Sequence, residues 1–379
     1  MIKHLVLAGG GHAHLAALLH IDDYVRRGHK VTLVSPVTHL YYSGMGAGML
    51  AGTYTPADVR IHIRKLAEDR GASFVQGEVD RIRAEEKSLI LASGEVLSYD
   101  IVSFNTGSFV PTGIVGDLEE YVYPVKPVGN LLRAQATLRQ QIGEGRPKLV
   151  VAGGGPAGVE VAGNLQRLVR ESHGEAHITL VTGGSLLPAF PEKARLLVRE
   201  SFCRRGIEIR EKAGVTRIEN GALHLDDGSI VDYDMVFPAW GVRPSAIFAP
   251  SGLPVGSAGA LLVNNCLQSV AHPEIFGGGD CVSLQDTVLD KVGVYAVRQS
   301  GVLHRNLLHA LEGRRPKAFH PQKSYLLLFN LGDDTGLFVR KSWIWRGRLA
   351  WILKDIIDRR FVRKYQVSGE HSGPPPAAT

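Results

Sequence analysis

Along this 379-residue chain, short unbroken apolar runs give way to glycines, and the arrangement occurs twice. Leu5-Val6-Leu7-Ala8 leads into Gly9-Gly10-Gly11, and Leu149-Val150-Val151-Ala152 leads into Gly153-Gly154-Gly155. Apolar runs without alternation predict strands covered on both faces, as in a parallel sheet. Helix-like stretches follow over 14–20 and 157–170, then second strands over Lys30–Ser35 and His177–Thr182. Each copy therefore predicts a βαβ unit. The echo continues through 77–82 and 213–218, through turns at Ser93-Gly94-Glu95 and Asp226-Asp227-Gly228, to strands entered at Tyr99-Asp100 and Tyr233-Asp234. One supersecondary design used twice predicts two similar α/β domains.

A different pattern lies towards the C-terminus. Leu349, Ile352, Leu353, Ile356, Ile357 and Phe361 recur at helical spacing and predict one apolar stripe on an amphipathic helix over 348–365. Lys354, Asp355, Asp358, Arg359, Arg363 and Lys364 take the remaining positions, with Trp343, Trp345 and Trp351 close by. Such a helix lies in the plane of an anionic membrane surface, or packs on the protein's own body or a second copy in a homodimer.

Composition narrows the class. The length suits two or three domains, each with its own core. The net charge is +6, and the segment from Lys341 to Lys364 holds eight basic residues against two acids. Eight minus two is six, so this segment carries the whole excess; charge so localised fits a local anionic surface and not a nucleic-acid footprint. Cys203, Cys266 and Cys281 are far apart, which argues against a disulfide framework or a zinc site. His12 and His14 have no neighbouring acid or cysteine, so no metal is expected. No apolar stretch reaches eighteen residues, and the N-terminus lacks signal-peptide character. The expectation is a cytoplasmic protein, peripheral on the inner face of the cell membrane if the last helix binds lipid.

The glycines carry the candidate chemistry. Gly153-x-Gly155-x-x-Gly158 follows a strand and opens a helix, the context of a dinucleotide fingerprint. Gly153 permits the tight turn, Gly155 lets backbone approach a pyrophosphate, and Gly158 lets helix and strand pack closely. In the first copy His14 stands where the third glycine belongs, which should push the helix off the strand; an ordinary turn that binds nothing is the alternative. Ser35 and Thr182 replace the acid that usually binds the adenosine ribose, and Thr182 leaves NADH against NADPH open. Gly277-Gly278-Gly279 brings Asp280 to an expected helix start, where it can meet a ribityl hydroxyl or serve as a plain N-cap. Cys281 beside it reads as a small packing residue.

Together these residues resemble the pyridine nucleotide-disulfide oxidoreductase superfamily. The first glycine loop, Asn105-Thr106-Gly107-Ser108, Gly153 to Gly158, Ala239-Trp240-Gly241-Val242-Arg243-Pro244 and Gly278-Gly279-Asp280 carry the resemblance, in the superfamily's order. It implies two Rossmann-like domains with β-meander insertions. The expected division is a split FAD domain (1–115 and 246–320) around an NAD(P)H domain (116–245), then a small α+β region (321–367) and a disordered tail (368–379). FAD contacts are expected from Gly9, Gly11, His12, Ala13, Ser35, Val79, Thr106, Gly107, Gly279, Asp280, Ala296 and Val297. NAD(P)H contacts are expected from Gly153, Gly155, Pro156, Ala157, Gly158, Thr182 and Gly241.

Within the superfamily, Gly155-Pro156-Ala157-Gly158-Val159-Glu160 resembles type II NADH dehydrogenases, which pass electrons from NADH through FAD to quinone. Gly9 to His14, Tyr42 to Met45, Val294 to Gln299 and Lys354 to Phe361 resemble the flavoprotein module fused to selenide, water dikinase. The leading expectation is an FAD-dependent NAD(P)H dehydrogenase with a quinone acceptor. A soluble, selenium or sulfur acceptor, a sulfide:quinone oxidoreductase and a non-catalytic flavin module stay open. Hydride transfer asks little of the protein beyond placement. Glu160 is the candidate at the nicotinamide–flavin junction, against a solvated helix carboxylate. Lys126 is the candidate near the flavin, against an exposed linker lysine.

Overall fold

The computed structural model describes residues 1–115, 120–219, 221–322 and 324–370. The first apolar runs form a five-stranded sheet in the order 275–277, 101–104, 4–8, 30–35, 73–76, and its pairs are parallel. The second set forms a four-stranded parallel sheet in the order 207–211, 177–182, 148–152, 235–238. The duplication holds at the level of register: Leu5 faces Val31 and Ile101, and Leu149 faces Ile178 and Met235. Leu5, Val6, Leu7, Leu149, Val150 and Val151 are all buried, so both faces of each central strand are covered.

Each sheet carries an antiparallel meander, Val79–Arg83 with Ser88–Leu91 and Val96–Ser98, and Val215–Glu219 with Ala222–Leu225 and Ile230–Asp232. The two meanders even share a register shift near their first pair. The boundary expected at 115/116 falls against residues 116–119, outside the described residues.

The C-terminal region is an antiparallel hairpin of three strands, Leu327–Asn330, Gly336–Arg340 and Trp343–Gly347, followed by the helix Arg348–Tyr365. This region packs across both domains. An added Cβ at Gly163, on the second-domain helix Pro156–Glu171, would lie 2.2 Å from the Leu331 carbonyl oxygen, so helix and hairpin touch backbone to backbone. Arg167 pairs with Asp334 at 2.6 Å across the same seam. On the other side Tyr54 donates to Asp355 at 2.8 Å and Gln366 donates to the Ala57 and Arg60 carbonyls. Where a tail was expected from residue 368, Ser368 and Glu370 are buried, the Glu370 carboxylate accepting from the His62 and Ser368 amides. The rest of that expected tail, 371–379, lies outside the described residues.

Candidate functional site

The two glycine turns sit at the C-terminal ends of their central strands, where helix N-termini leave backbone N–H groups unpaired. In the second copy the helix Pro156–Glu171 begins with Gly155 as N-cap, no side-chain cap and no acid in its first turn. Pro156 takes the first helical position, where its missing N–H costs nothing. An added Cβ at Gly158 would fall 1.9 Å from the Gly153 carbonyl oxygen, so only glycine lets this helix lie so close. At Gly155 an added Cβ would meet nothing within 4 Å, which leaves a backbone-lined cradle open towards the helix start. Gly154 lies against the Thr182 side chain, so that hydroxyl borders the turn. Gly241, at the end of the opposite strand, is equally open. These residues fit a pyrophosphate.

The first copy is built differently. His14 does not push the helix away; it is absorbed. Its Nδ1 meets the Gly9 carbonyl at 2.6 Å and its Nε2 the Ser103 hydroxyl at 2.8 Å. The chain makes room by winding His12–His14 as a 3-10 turn before the α-helix Leu15–Leu19. Burial lowers the His14 imidazole to about 4, so it stays neutral. His12 sits between Tyr42 and Phe361, with ring centroids at 5.4 and 6.1 Å. Burial, and then Lys126, lower its imidazole to about 4. Its Nε2 is sealed from solvent without a partner among the described residues, a polar atom that a cofactor oxygen would satisfy.

Asn105 ties the first-domain motifs together. Its Oδ1 accepts from the Ala13 amide at 2.9 Å and its Nδ2 donates to the Gly278 carbonyl at 2.6 Å. Gln299, on the helix Gly293–Leu311, accepts from the Gly279 amide at 2.6 Å and brings Ala296 against the same turn. Thr106 and Gly107 follow Asn105 directly, and Gly107 has a φ of 71° with open space beside it. Asp280 accepts from Ser108 at 2.6 Å and from Lys126 at 2.8 Å. Burial works against its charge, but Lys126 and Ser108 hold its carboxyl below the usual range. No helix begins at Asp280: a three-residue 3-10 turn, Gly279–Cys281, runs straight into the strand Val282–Leu284. Lys126 is thus an ion-pair partner and not a solvated linker residue.

Other expected positions are peripheral to this cluster. The Ser35 hydroxyl accepts from the Val37 amide at 3.3 Å and shapes the turn after its strand. Val79 is buried at the start of the first meander, and Val297 follows Ala296 in the helix. Cys281 is fully buried, burial raises its thiol pKa, and its sulfur contacts the Phe104 and Gly278 carbonyls.

Glu160 is the position that the structure changes most. Only 18% of its side chain is exposed, so the solvated reading fails. Its Oε1 accepts from the Asn330 amide at 2.7 Å and lies 3.7 Å from Lys354 Nζ. Lys354 is itself buried; it donates to Asp358 at 2.6 Å and to the Gly44 carbonyl at 2.6 Å. Tyr42 donates to the second Asp358 oxygen at 3.1 Å. Burial raises the Glu160 carboxyl, with Lys354 opposing; burial also disfavours the Lys354 ammonium, but Glu160 and Asp358 outweigh it and raise its pKa. One proton carrier between two carboxylates thus joins the second-domain helix to the C-terminal helix. The sequence placed Lys354 and Asp358 on the polar side of an amphipathic helix and Tyr42 in a family motif, but gave none of them, nor Asn330, a part in the site. Their signal was present: Lys354 and Asp358 are four apart, on the face opposite the apolar stripe.

The C-terminal helix is inverted relative to an ordinary surface helix. Ala350, Lys354, Asp358, Val362 and Tyr365 face the protein, while Leu349, Ile352, Leu353, Ile356 and Ile357 are exposed. Phe361 departs from the expected stripe and turns inwards, 4.7 Å from Tyr42 and 5.2 Å from Tyr365 between ring centroids.

The model of the pyridine nucleotide-disulphide oxidoreductases matches residues 3–300. The chain belongs to this family. It is accordingly an oxidoreductase. Among relatives of the family, ferroptosis suppressor protein 1 of Xenopus laevis is 28% identical over 349 residues, 88% of each chain. A type II NADH:quinone oxidoreductase of Haemophilus influenzae is 25% identical, over 75% of this chain and 74% of the relative. The fold matches the NDH2 of Plasmodium falciparum solved with NADH, at a TM-score of 0.82, 16% identity and 99% of each chain. It also matches the sulfide:quinone oxidoreductase of Aquifex aeolicus, at a TM-score of 0.80, 18% identity, 98% of this chain and 93% of the other.

Proposed function

We propose that this oxidoreductase takes hydride from NAD(P)H onto FAD and delivers the electrons to a quinone held at a membrane surface. The observation that carries this reading is the C-terminal helix, which places a buried proton-holding cluster inside and an apolar face outside. When bound, the cofactors would supply the redox chemistry, FAD accepting a hydride from the nicotinamide and passing two electrons to the quinone, whose two protons would come one from the reduced flavin and one from solvent.

The chain supplies placement and a proton-holding group. Gly155, Ala157 and Gly158 present helix-start N–H groups to the nicotinamide dinucleotide, beside Thr182 and Gly241, while Gly153 turns the chain with its own N–H on the Val181 carbonyl and Pro156 opens the helix. In the first copy the Gly9, Ala13 and Gly279 amides are taken by Val34, Asn105 and Gln299, so these residues shape the FAD turn around Gly11, and neutral His12 offers Nε2 to the cofactor. Lys126 and Ser108 fix Asp280 for a ribityl hydroxyl. Lys354 holds a proton at Nζ between Asp358 and Glu160, close to the domain seam. The outer helix face, with Arg348, Arg360, Arg363 and Lys364 exposed on the same helix, suits an anionic bilayer, where a quinone resides. Cys281 is buried and hydrogen-bonded, so the geometry gives no support to sulfide chemistry at a reactive thiol.

The test is an anaerobic titration of the purified yellow protein. NADH or NADPH bleaches the flavin, a short-chain quinone restores it, and released flavin chromatographs as FAD. Flavin that stays oxidised would remove the dehydrogenase reading; reoxidation by a soluble, selenium or sulfur acceptor but not by quinone would move the acceptor.

A further inference from the structure

Resting on that membrane reading, we propose that the C-terminal helix couples the bilayer to the redox site, with Asp358 as the positioning residue through which lipid contact reaches Lys354 and Glu160. The two faces of one rigid element carry the argument. Outwards, Leu349, Ile352, Leu353, Ile356 and Ile357 meet solvent over about two and a half turns. In the last turns Arg360, Arg363 and Lys364 are also exposed, while both acids of the helix turn inwards. Inwards, the same eighteen residues grip both dinucleotide domains. Asp358 holds Lys354 at 2.6 Å and takes the Tyr42 hydroxyl at 3.1 Å; Lys354 reaches the Gly44 carbonyl and Glu160. Phe361 lies over His12, on the first glycine turn.

Charge buried in this way is sustained only by close geometry, because desolvation opposes it at every ångström of slack. A helix cannot move its outer face without moving its inner one. Lipid that covers the exposed apolar face favours the seated position, and seating holds Lys354 against Glu160. Linkage makes the effect reciprocal: a seated helix binds lipid more tightly. Asp358 does not touch the cofactors in this scheme; it acts by fixing the ammonium.

The experiment uses the full-length holoprotein with phosphatidylglycerol–phosphatidylcholine vesicles, and pure phosphatidylcholine vesicles as the control. NADH-driven flavin bleaching is followed anaerobically, with no acceptor present, alongside amide exchange across 348–365. Anionic vesicles should speed bleaching by about fivefold or more and slow exchange in the helix. Asp358→Asn should still bind the vesicles, more weakly than wild type as the linkage requires, and lose the acceleration even at saturating lipid; Asp358→Glu should recover part of both, and Tyr42→Phe should show a smaller loss. Vesicle binding with no change in bleaching overturns the coupling and leaves the membrane reading standing. Absence of vesicle binding overturns both. An Asp358→Asn protein that still responds to lipid removes Asp358 as the link; if that variant fails to fold, a full lipid response in Tyr42→Phe decides the same point against the proposal.

Discussion

An added Cβ at Gly158 collides with the Gly153 carbonyl, whereas at Gly155 it enters open space, although both glycines belong to one motif. The first is required by the fold and the second by whatever approaches the helix start. Gly158→Ala should therefore lose about 1–3 kcal/mol of stability, the usual cost of overpacking. Gly155 has a φ of −80°, which any residue tolerates, so Gly155→Leu should change stability by less than about 1 kcal/mol. It should nevertheless weaken NADH binding by about tenfold or more, roughly 1.4 kcal/mol, while FAD is retained. Urea unfolding and NADH titration on both variants separate the two roles. Equal loss of stability in both would mean that the cradle at Gly155 is part of the core. Histidines show the same division: His14 is spent on two internal hydrogen bonds, and only His12 keeps a nitrogen to offer.

At the level of elements, the Glu160–Lys354–Asp358 cluster makes a demand on pH. Lys354→Met would leave two buried carboxylates without their cation, a change that costs about 3–5 kcal/mol in buried pairs. Removing the ammonium raises the Glu160 carboxyl further above its unfolded value. The folded variant then binds more protons than the unfolded chain above that value, so its stability falls as pH rises. The deficit against wild type should accordingly be smaller near pH 5 than near pH 8 in denaturant titrations. A deficit that does not change with pH would mean that Glu160 and Asp358 find other partners. This cluster also marks where sequence reading stops. Apolar runs and glycines are local signals, so the strands 4–8 and 148–152 and the helix Arg348–Tyr365 were legible with nearly their observed bounds. Glu160 and Lys354 are 194 residues apart, and nothing local says that they meet. Asp280 misled for a related reason: glycine followed by Asp is a helix-start signal, but here Lys126, supplied from another part of the chain, binds the carboxylate and the backbone continues as a strand.

Across the whole molecule, charge and apolar surface coincide at one place. The segment Lys341 to Lys364 holds the entire net charge of the chain, and the structure sorts it. Lys354 is buried and Arg359 is paired with Asp355, while Arg348, Arg360, Arg363 and Lys364 are exposed on the helix that carries the outer apolar face, and Lys341 and Trp343 are exposed on the hairpin before it. Each exposed cation near anionic lipid contributes on the order of 1 kcal/mol, and the effect decays over a Debye length of about 10 Å at 0.1 M salt. The four such groups on the helix hold a protein reversibly, so sedimentation with phosphatidylglycerol vesicles should weaken steadily as salt rises. Cutting the chain at Gly347 would also remove Lys354 and Asp358 from the interior, so a substitution on the outer face is the cleaner test. Ile356 is 56% exposed on the outer face. Ile356→Glu together with Leu349→Glu should abolish vesicle binding, leave urea stability within about 0.5 kcal/mol, and leave flavin bleaching in vesicle-free solution unchanged. Vesicle binding that survives both substitutions would assign the lipid contact to another surface, and a large loss of stability would show that this face packs on a second copy of the chain.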